Sequence, residues 1–223
     1  MGYGSTQQQN GPSTLEELMN KTYILGNGGY AQEVFAQIIV PNKYEFGGFL
    51  IVKEDKALLI DEEGINPFSY PKNAMFILGT GNKKWRRIFI SHFLKYYDKS
   101  INHFPNVFSK STFIASTAKL GVGNVFCSYS MINGTGTVGD FNNFNAYASI
   151  HHDVILGDNN VLSPYAGIMG YCEVGNENFF GVGTQVTPKV EIGNENTLSA
   201  GETLFDDMSN RQFFQSGIIT DKP

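Results

Sequence analysis

The chain has 223 residues, of which 41% are hydrophobic and 17% charged, and its formal net charge is −5. This acidic balance argues against a nucleic-acid-binding surface. No apolar run approaches the roughly 20 residues of a membrane-spanning helix, and the first residues lack the apolar core of a secretory signal, so we predict a cytoplasmic protein without membrane insertion.

The first elements are predicted from residues 1–39. Residues 1–18 are rich in Gln, Ser and Gly, and we expect a polar tail without function. The stretch KTYILGNGGYAQEVFAQII, residues 21–39, predicts a strand, a glycine-rich turn and a helix. Its spacing Gly26-x-Gly28-x-x-Ala31 places glycines where a phosphate can approach the start of a helix.

Two further strands are predicted at residues 44–52 and 74–82, and a helix follows at KKWRRIFISHFL. Together these elements predict a small α/β domain, a Rossmann-like half, over residues 19–105. An NAD-binding fold needs two such halves and an acidic residue after the second strand. Only one half is present here, and no acid stands at the usual place after the second strand, where the sequence continues Lys53-Glu54-Asp55. A single half fits a nucleotide-sugar better than NAD. This helix begins with a basic cluster, Lys83, Lys84, Arg86 and Arg87. Two interpretations stay open: the cluster contacts a sugar-nucleotide phosphate, or it is a solvated helix start without a ligand.

Every sixth residue from Ile114 to Leu204 is large and apolar, sixteen in succession. This period fits short strands joined by tight turns, with three strands in each coil of a triangular β-helix, which we predict over residues 106–223. A longer period of 18 residues repeats Gly and Asn, which we expect at corners that need positive φ. These positions are Gly121, Gly139, Gly157, Gly175 and Gly193, with Asn124, Asn142, Asn160, Asn178 and Asn196. Cys127 and Cys172 are too few for a disulfide framework.

The motifs GNGGYAQEV and LGTGNKKWRR, followed by the hexads, resemble hexapeptide-repeat sugar acetyltransferases of the bacillosamine (UDP-amino-sugar N-acetyltransferase) and sialic acid O-acetyltransferase type. The resemblance covers about residues 20–205. It implies a left-handed parallel β-helix, acetyl-CoA as co-substrate, a nucleotide-sugar acceptor, and a homotrimer with active sites between subunits. No Cys/His cluster has zinc spacing, and we expect no metal.

The resemblance also implies site residues. His152 and Asp153, in SIHHDVILGDN, match the family's His-acid pair and become the general base and its orienting carboxylate. At a spacing of 18, Gly134 and Gly170 stack on either side of His152 and leave room for a ligand. Acetyl-CoA contacts carry over to Gly170, Val182, Ala200 and Gly201, and acceptor contacts to Gly28, Gly29, Tyr30, Gly81 and Asn82. His151, His92 and His103 receive no role.

Several functions remain open at this point. N-acetylation of a nucleotide-linked amino sugar for surface glycans is preferred, and O-acetylation of sialic acid or another sugar is the alternative. An acyl group other than acetyl is also compatible. A non-catalytic β-helix assembly protein that binds a nucleotide-sugar, and an NAD-dependent sugar enzyme, are the hypotheses from other classes. The sequence departs from the family pattern at Tyr30 and Val161, which stand where the family has histidines.

Overall fold

The computed structural model describes residues 21–222, and the predicted tail at residues 1–18 lies outside them. The front domain is a five-stranded sheet in the order β4-β3-β2-β1-β5. Its strands are β1 (Thr22–Leu25), β2 (Phe46–Lys53), β3 (Lys56–Asp61), β4 (Gly64–Pro67) and β5 (Met75–Leu78). Strand β1 is parallel to β2 and β5, whereas β3 and β4 form an antiparallel extension that the sequence pattern did not predict.

The helices of this domain cover both faces of the sheet. Helix α1 (Gly29–Val34) continues through a π-helical stretch, Phe35–Ile39, into α2 (Val40–Asn42), and α3 (Lys83–Phe93) follows β5. Side chains alternate across β1: Tyr23 and Leu25 pack with α3, whereas Ile24 packs with α1. This alternation follows from the two-residue period of a strand.

The second part of the chain is a β-helix of two-residue strands in three parallel sheets. The six-stranded sheet contains β7 (Phe113–Ile114), β10 (Met131–Ile132), β13 (Ser149–Ile150), β16 (Gly167–Ile168), β19 (Gln185–Val186) and β22 (Thr203–Leu204). The five-stranded sheet contains β8 (Lys119–Leu120), β11 (Thr137–Val138), β14 (Ile155–Leu156), β17 (Glu173–Val174) and β20 (Glu191–Ile192).

The third sheet has eight strands, because a hairpin at the end of the chain extends it. It contains β6 (Val107–Phe108), β9 (Val125–Phe126), β12 (Asn143–Phe144), β15 (Val161–Leu162), β18 (Phe179–Phe180), β21 (Thr197–Leu198), β23 (Gln212–Gln215) and β24 (Ile218–Asp221). Strand β23 pairs in parallel with β21, and β24 pairs antiparallel with β23. The hairpin covers one edge of this sheet, a region where no hexad predicted a strand.

The predicted apolar column is confirmed. Each of its sixteen residues is the second residue of a strand from β7 to β22, and fourteen of them are buried in one continuous core. Only Ile114 and Leu120, in the first coil, are partly exposed, because fewer coils cover them. Cys127 and Cys172 are buried, and neither forms a disulfide.

The predicted reason for the repeated glycines is wrong. None of the five has a positive φ; the turns take that conformation mostly at other residues, such as Tyr129, Phe141 and Asp153. A Cβ at Gly157 would lie 2.8 Å from the carbonyl oxygen of Gly175 in the next coil. The glycines are therefore needed because neighbouring backbones approach closely.

The repeated asparagines are buried and form a hydrogen-bonded ladder along the rod. The side-chain oxygen of Asn142 accepts from the backbone N–H of Asn160 at 2.8 Å, one coil further on. The side-chain amide of Asn160 donates to the carbonyl oxygen of Gly175 at 2.9 Å. The ladder satisfies the hydrogen bonds of buried backbone groups at this corner. None of the five asparagines has a positive φ, so the predicted reason for their recurrence is wrong as well.

The front domain rests on the eight-stranded sheet. The outward residues of that sheet are buried under it at Val107, Val125 and Val161. Outward residues of the five-stranded sheet, such as Lys119 and Glu173, are exposed. The two other sheets and the corner between them therefore lie away from the front domain.

Candidate active site

His152 lies on the turn between β13 and β14, at the corner between the six-stranded and five-stranded sheets. Its Nδ1 is 2.9 Å from Oδ2 of Asp153, and 56% of the His152 side chain is exposed. In the tautomer with the proton on Nδ1, the Nδ1–H group donates a hydrogen bond to the carboxylate, and the lone pair of Nε2 is free to accept a proton. The structure therefore brings together the two residues that the sequence predicts as base and orienting acid, and their catalytic roles stay a prediction.

Asp153 has a second partner on the preceding coil. The hydroxyl of Thr135 donates to Oδ1 of Asp153 at 2.5 Å. This hydrogen bond, followed by the one from His152, lowers the pKa of the Asp153 carboxyl below its usual range. The carboxylate is therefore ionised throughout the neutral range and available to fix the imidazole.

The neighbouring coils leave room for the imidazole. A Cβ at Gly170 would lie 2.6 Å from Cε1 and 2.8 Å from Nε2 of His152, so a side chain there would displace the ring. Gly134, with a φ of +72°, lies under the Cβ of His152. Tyr171 meets the ring edge to face, with centroids 5.0 Å apart. The sequence predicts that these glycines leave room for a ligand; in the structure the imidazole itself packs against Gly170.

A second candidate site lies in the front domain. A cavity of about 600 Å³ opens beside the ends of β1, β2 and β5, which is within the range of small-molecule sites. Its lining residues are Gly26, Asn27, Gly28, Gly29, Tyr30, Ile51, Val52, Lys53, Gly79, Thr80, Trp85 and Phe89. Ligands of parallel α/β sheets bind at this end of the strands.

The glycines of this cavity fall into two groups. Gly26 has a φ of +118° and its Cβ would lie 3.0 Å from the carbonyl oxygen of Gly79, so the turn itself requires glycine there. A Cβ at Gly28 or Gly29 would meet no atom within 4 Å. These two predicted substrate residues therefore border open space at the cavity.

The other predicted acceptor contacts are placed differently. Tyr30 lines the cavity, but its hydroxyl donates to the side chain of Asn143 and contacts Cys127 on the β-helix. Gly81 and Asn82 are not among the lining residues. The side chain of Asn82 instead accepts from the backbone N–H of Trp85 at 3.2 Å and caps α3.

The predicted acetyl-CoA contacts occupy two corners of the rod. Gly170 packs against His152, whereas Val182 and Ala200 are exposed at the corner between the eight-stranded and six-stranded sheets. At that corner Gly201 donates its backbone N–H to the carbonyl oxygen of Val182 at 2.8 Å. The two sets flank the same six-stranded sheet: Val182 and Ala200 lie in turns that precede its strands, and Gly170 lies in a turn that follows one of them.

The basic residues of α3 join the two domains, which argues against a phosphate site there. Arg86 is fully buried and donates to Asn159 at 2.7 Å and to the carbonyl oxygens of Thr80 and Phe141. Lys83 donates to the carbonyl oxygen of Asn196 on the β-helix. Arg87 forms ion pairs with Glu177 and Glu195, so three of the four basic residues already have protein partners.

The remaining histidines have ordinary partners. His92 is buried and lies 2.7 Å from the hydroxyl of Tyr70, and Nδ1 of His103 is 3.0 Å from the carbonyl oxygen of Ala74. The backbone N–H of His151 continues the ladder between coils by donating to Ile168. Within residues 21–222, no group of three His, Cys, Asp or Glu residues is arranged to hold a metal ion. None of the helices in that same range is both long and apolar enough to cross a membrane.

Thr135 and Tyr171 are the site residues that sequence reasoning missed. They stand 18 residues before and after Asp153, so they stack on it as Gly134 and Gly170 stack on His152. Applying the 18-residue spacing to the acid as well as to the base finds both residues.

No protein-family model matches the chain, and no curated protein does. Several solved structures match the chain. A perosamine N-acetyltransferase variant from Caulobacter crescentus, in complex with CoA and GDP-perosamine, is 20% identical, with a TM-score of 0.74 over 91% of this chain and 97% of that one. The acetyltransferase domain of PglB from Neisseria gonorrhoeae, in complex with acetyl coenzyme A, is 17% identical, with a TM-score of 0.72 over 91% of this chain and 99% of that domain.

WeeI from Acinetobacter baumannii AYE is 18% identical, with a TM-score of 0.71 over 86% of this chain and 95% of that one. At these identities the comparisons establish a shared fold along almost the whole of each chain. The resemblance to sugar acetyltransferases is thereby confirmed at the level of the fold. The left-handed sense of the β-helix stays a prediction from that resemblance.

Proposed function

We propose that this protein transfers an acetyl group from acetyl-CoA to the amino group of a nucleotide-linked sugar, with His152 as general base, in the synthesis of surface glycans. The observation that carries the proposal is the exposed imidazole held by Asp153 in a space cleared by Gly170. O-acetylation of sialic acid or another sugar would use the same base.

The chemistry needs no covalent intermediate on the protein. The acceptor nitrogen attacks the thioester carbonyl carbon while Nε2 of His152 removes a proton from that nitrogen. The carbon–sulfur bond then breaks, and the departing thiolate takes the proton from the imidazolium. Asp153, ionised because its pKa is lowered, stabilises the positive charge on His152 between these two proton transfers.

The acceptor is proposed to occupy the cavity of the front domain. Gly28 and Gly29 leave open space beside the start of α1, where a diphosphate can meet backbone N–H groups. The solved structures of the same fold support this choice, since one contains GDP-perosamine with CoA and another contains acetyl coenzyme A.

The complete site is proposed to form between subunits of a homotrimer. Within one chain the front domain covers the eight-stranded sheet, whereas His152 lies at the opposite corner. A sugar bound in the cavity of one chain is therefore presented to His152 of another. Acetyl-CoA would lie in the cleft between two rods, with Gly170 from one chain and Val182, Ala200 and Gly201 from the next.

The test is the variant His152→Ala, assayed as purified protein with acetyl-CoA and a panel of amino-sugar nucleotides. Turnover is measured as the release of free CoA thiol. We expect kcat to fall roughly 10²–10⁴-fold. His151→Ala is the matched control and should retain activity, because His151 is outside the pair. Turnover that is unchanged in His152→Ala refutes the assignment of the base.

The non-catalytic alternative is separated by binding. If the chain only binds a nucleotide-sugar, acetyl-CoA will not raise the melting temperature of the wild type or of His152→Ala. A bound co-substrate, in contrast, stabilises the folded state by mass action. Stabilisation of His152→Ala by acetyl-CoA together with lost turnover supports the proposal. A shift with NAD alone favours the NAD-dependent enzyme.

A further inference from the structure

Three tyrosines form a stacked ladder on the corner between the eight-stranded and six-stranded sheets. Tyr129, Tyr147 and Tyr165 are the third residues of successive turns at this corner. Their ring centroids are 5.0 and 4.8 Å apart, and the ring planes differ by 11° and 1°. The three residues are 54%, 46% and 58% exposed. The tyrosine ladder is therefore a continuous aromatic surface that faces away from the core.

The backbone at this corner does not itself require tyrosine. All three residues have a left-handed conformation, with φ values of +59°, +61° and +63°, and bulky residues rarely adopt it. On the next two coils the same position is occupied by Gly183 and Gly201. Because glycine adopts this conformation without strain, the tyrosines are accounted for by their side chains and not by their backbone.

The hydroxyl groups of the ladder are available to a ligand. Within residues 21–222, the tyrosine hydroxyls that form hydrogen bonds belong to Tyr30, Tyr70 and Tyr97. Stacking along the rod accounts for the rings of the ladder but leaves their hydroxyls without a role. A phenol both donates and accepts, and its ring is apolar, so it suits a ligand that combines hydroxyl groups with C–H surfaces, as a sugar does.

The ladder stands at the edge of the sheet that the front domain covers. The hydroxyl of Tyr30, which lines the cavity, donates to Asn143 on β12, four residues before Tyr147. Gln37, from the helical segment after the glycine turn of the cavity, accepts from the hydroxyl of Ser128 at 3.0 Å. Ser128 lies in the first of the three turns that bear the ladder. The cavity and the ladder of one chain are thus joined by direct contacts.

The ladder also reaches the level of the proposed base. Tyr147 lies in the turn before β13 and His152 in the turn after it, so the two residues belong to one coil and stand at opposite edges of the six-stranded sheet. In a cyclic trimer of parallel rods, equivalent coils lie at the same height. In the arrangement proposed above, Tyr147 of one chain therefore stands level with His152 of the neighbouring chain.

The same corner changes character after Tyr165. The next two coils have Val182 with Gly183 and Ala200 with Gly201, and a Cβ at either glycine meets no atom within 4 Å. This open half is the one proposed to contact acetyl-CoA. The aromatic half is left for the acceptor, so the two substrates meet near the boundary between the halves.

We propose that the tyrosine ladder is the acceptor side of the shared site, and that the hydroxyl of Tyr147 hydrogen-bonds the sugar and positions its amino group for His152 of the neighbouring chain. This inference rests on the proposed function, and it adds a contact on the β-helix to the acceptor contacts predicted in the front domain. The stacked rings of Tyr129 and Tyr165 hold the ring of Tyr147 between them, so its hydroxyl has a fixed position.

The test measures equilibrium binding to the full chain by calorimetry, without acetyl-CoA. The ligands are UDP-, dTDP- and GDP-linked amino sugars and, for comparison, the bare diphosphates UDP, dTDP and GDP. We expect the wild type to bind at least one amino-sugar nucleotide more tightly than its diphosphate. Tyr147→Phe keeps the stacked ring and removes the hydroxyl, so the affinity for that nucleotide-sugar should fall about tenfold while the affinity for the diphosphate stays unchanged.

Tyr129→Phe is the matched control, because it makes the same change in the same ladder one coil before the level of His152. It should bind both kinds of ligand as the wild type does. Both variants should melt at the temperature of the wild type, because the stack is preserved in each. In turnover, Tyr147→Phe should raise KM for the acceptor about tenfold and leave KM for acetyl-CoA unchanged.

Three results overturn the inference: an unchanged affinity of Tyr147→Phe for the nucleotide-sugar, an equal loss in Tyr129→Phe, or a wild type that binds no amino-sugar nucleotide more tightly than its diphosphate. All three are measured without transfer of acetyl groups, so they are distinct from failure of the proposed function. A chain that binds as expected and yet transfers no acetyl group refutes the enzyme but leaves the contact between Tyr147 and the sugar standing.

Discussion

Asp153 has a backbone conformation that few residues with a side chain adopt, with a φ of +59°. Aspartate tolerates this left-handed region better than most residues. In this conformation its two oxygens face different partners, Nδ1 of His152 in its own turn and the hydroxyl of Thr135 one coil before. The orientation of the proposed base thus depends on a contact between coils.

Thr135→Val tests this dependence. The change removes the hydroxyl that holds Oδ1 of Asp153 while it keeps the β-branched shape. We expect kcat to fall about tenfold, with KM for acetyl-CoA unchanged, because the imidazole is less well oriented in the transition state. Thr135→Ser keeps the hydroxyl and should restore most of the rate.

Thr117→Val provides the control. Thr117 stands one coil before Thr135, and its hydroxyl donates to the carbonyl oxygen of Gly134 at 3.0 Å without contacting Asp153. A merely structural role for these hydroxyls would make both valine variants alike in rate and in melting temperature. Equal kcat values in Thr117→Val and Thr135→Val would therefore contradict a positioning role.

At the scale of elements, α3 is the joint between the front domain and the β-helix. Lys83, in its first turn, donates to Asn196 at 2.6 Å and to the hydroxyl of Thr197 at 3.2 Å. Burial, and after it the nearby charge of Lys222, lowers the pKa of Lys83 from its ordinary value to about 7. The joint consequently contains a lysine that loses its proton near neutral pH.

This lysine predicts a pH dependence of stability. Unfolded, Lys83 has the ordinary value of 10.5, so between pH of about 7 and 10.5 the unfolded chain holds a proton that the folded chain lacks. The free energy of unfolding therefore rises with pH in this window. We expect the melting temperature of the wild type to rise from pH 7 upward relative to Lys83→Met, which carries no titrating group there.

The control for this measurement is Lys84→Met, which removes a solvent-exposed lysine from the same turn. Its melting curve should follow the wild type as pH rises. If the wild type and Lys83→Met stay parallel across the window, then Lys83 retains its proton in the folded protein, and the burial of its ammonium is tolerated through the carbonyl of Asn196.

The sequence predicts these elements unevenly, for physical reasons. The column from Ile114 to Leu204 could be predicted because burial imposes the same requirement at every sixth position. The reason for Gly157 could not, since close approach of the next coil and positive φ select the same residue. The hairpin β23–β24 lies outside the period, so the hexads carry no signal for it.

At the scale of the whole molecule, the candidate site is divided between two sides of the chain. The docking face could not be predicted from the outward residues, because Asn143 interrupts the valines of the eight-stranded sheet and the five-stranded sheet also has an apolar outward residue, Ile155. The structure shows that the front domain packs on the eight-stranded sheet, so it lies opposite the corner that bears His152.

A site shared between chains predicts that two inactive variants restore activity when they are mixed. His152→Ala lacks the base but keeps the cavity. Gly28→Trp keeps the base and adds a side chain beside the cavity, at a position where a Cβ meets no atom within 4 Å, so the fold should tolerate it. In a randomly assembled cyclic trimer, a cavity from the first variant meets His152 from the second at about one site in four.

We therefore expect coexpressed or unfolded and refolded mixtures to recover about a quarter of the wild-type rate, while each variant alone stays inactive. Mixing the folded trimers without dissociation is the control and should recover nothing, since subunits do not exchange. If one chain supplied both the cavity and the base, every site of a mixed trimer would carry one defect, and no mixture would regain activity. Recovery after assembly thus distinguishes a shared site from a complete one, and it does so without knowledge of the natural sugar, provided that one acceptor nucleotide supports turnover in the wild type.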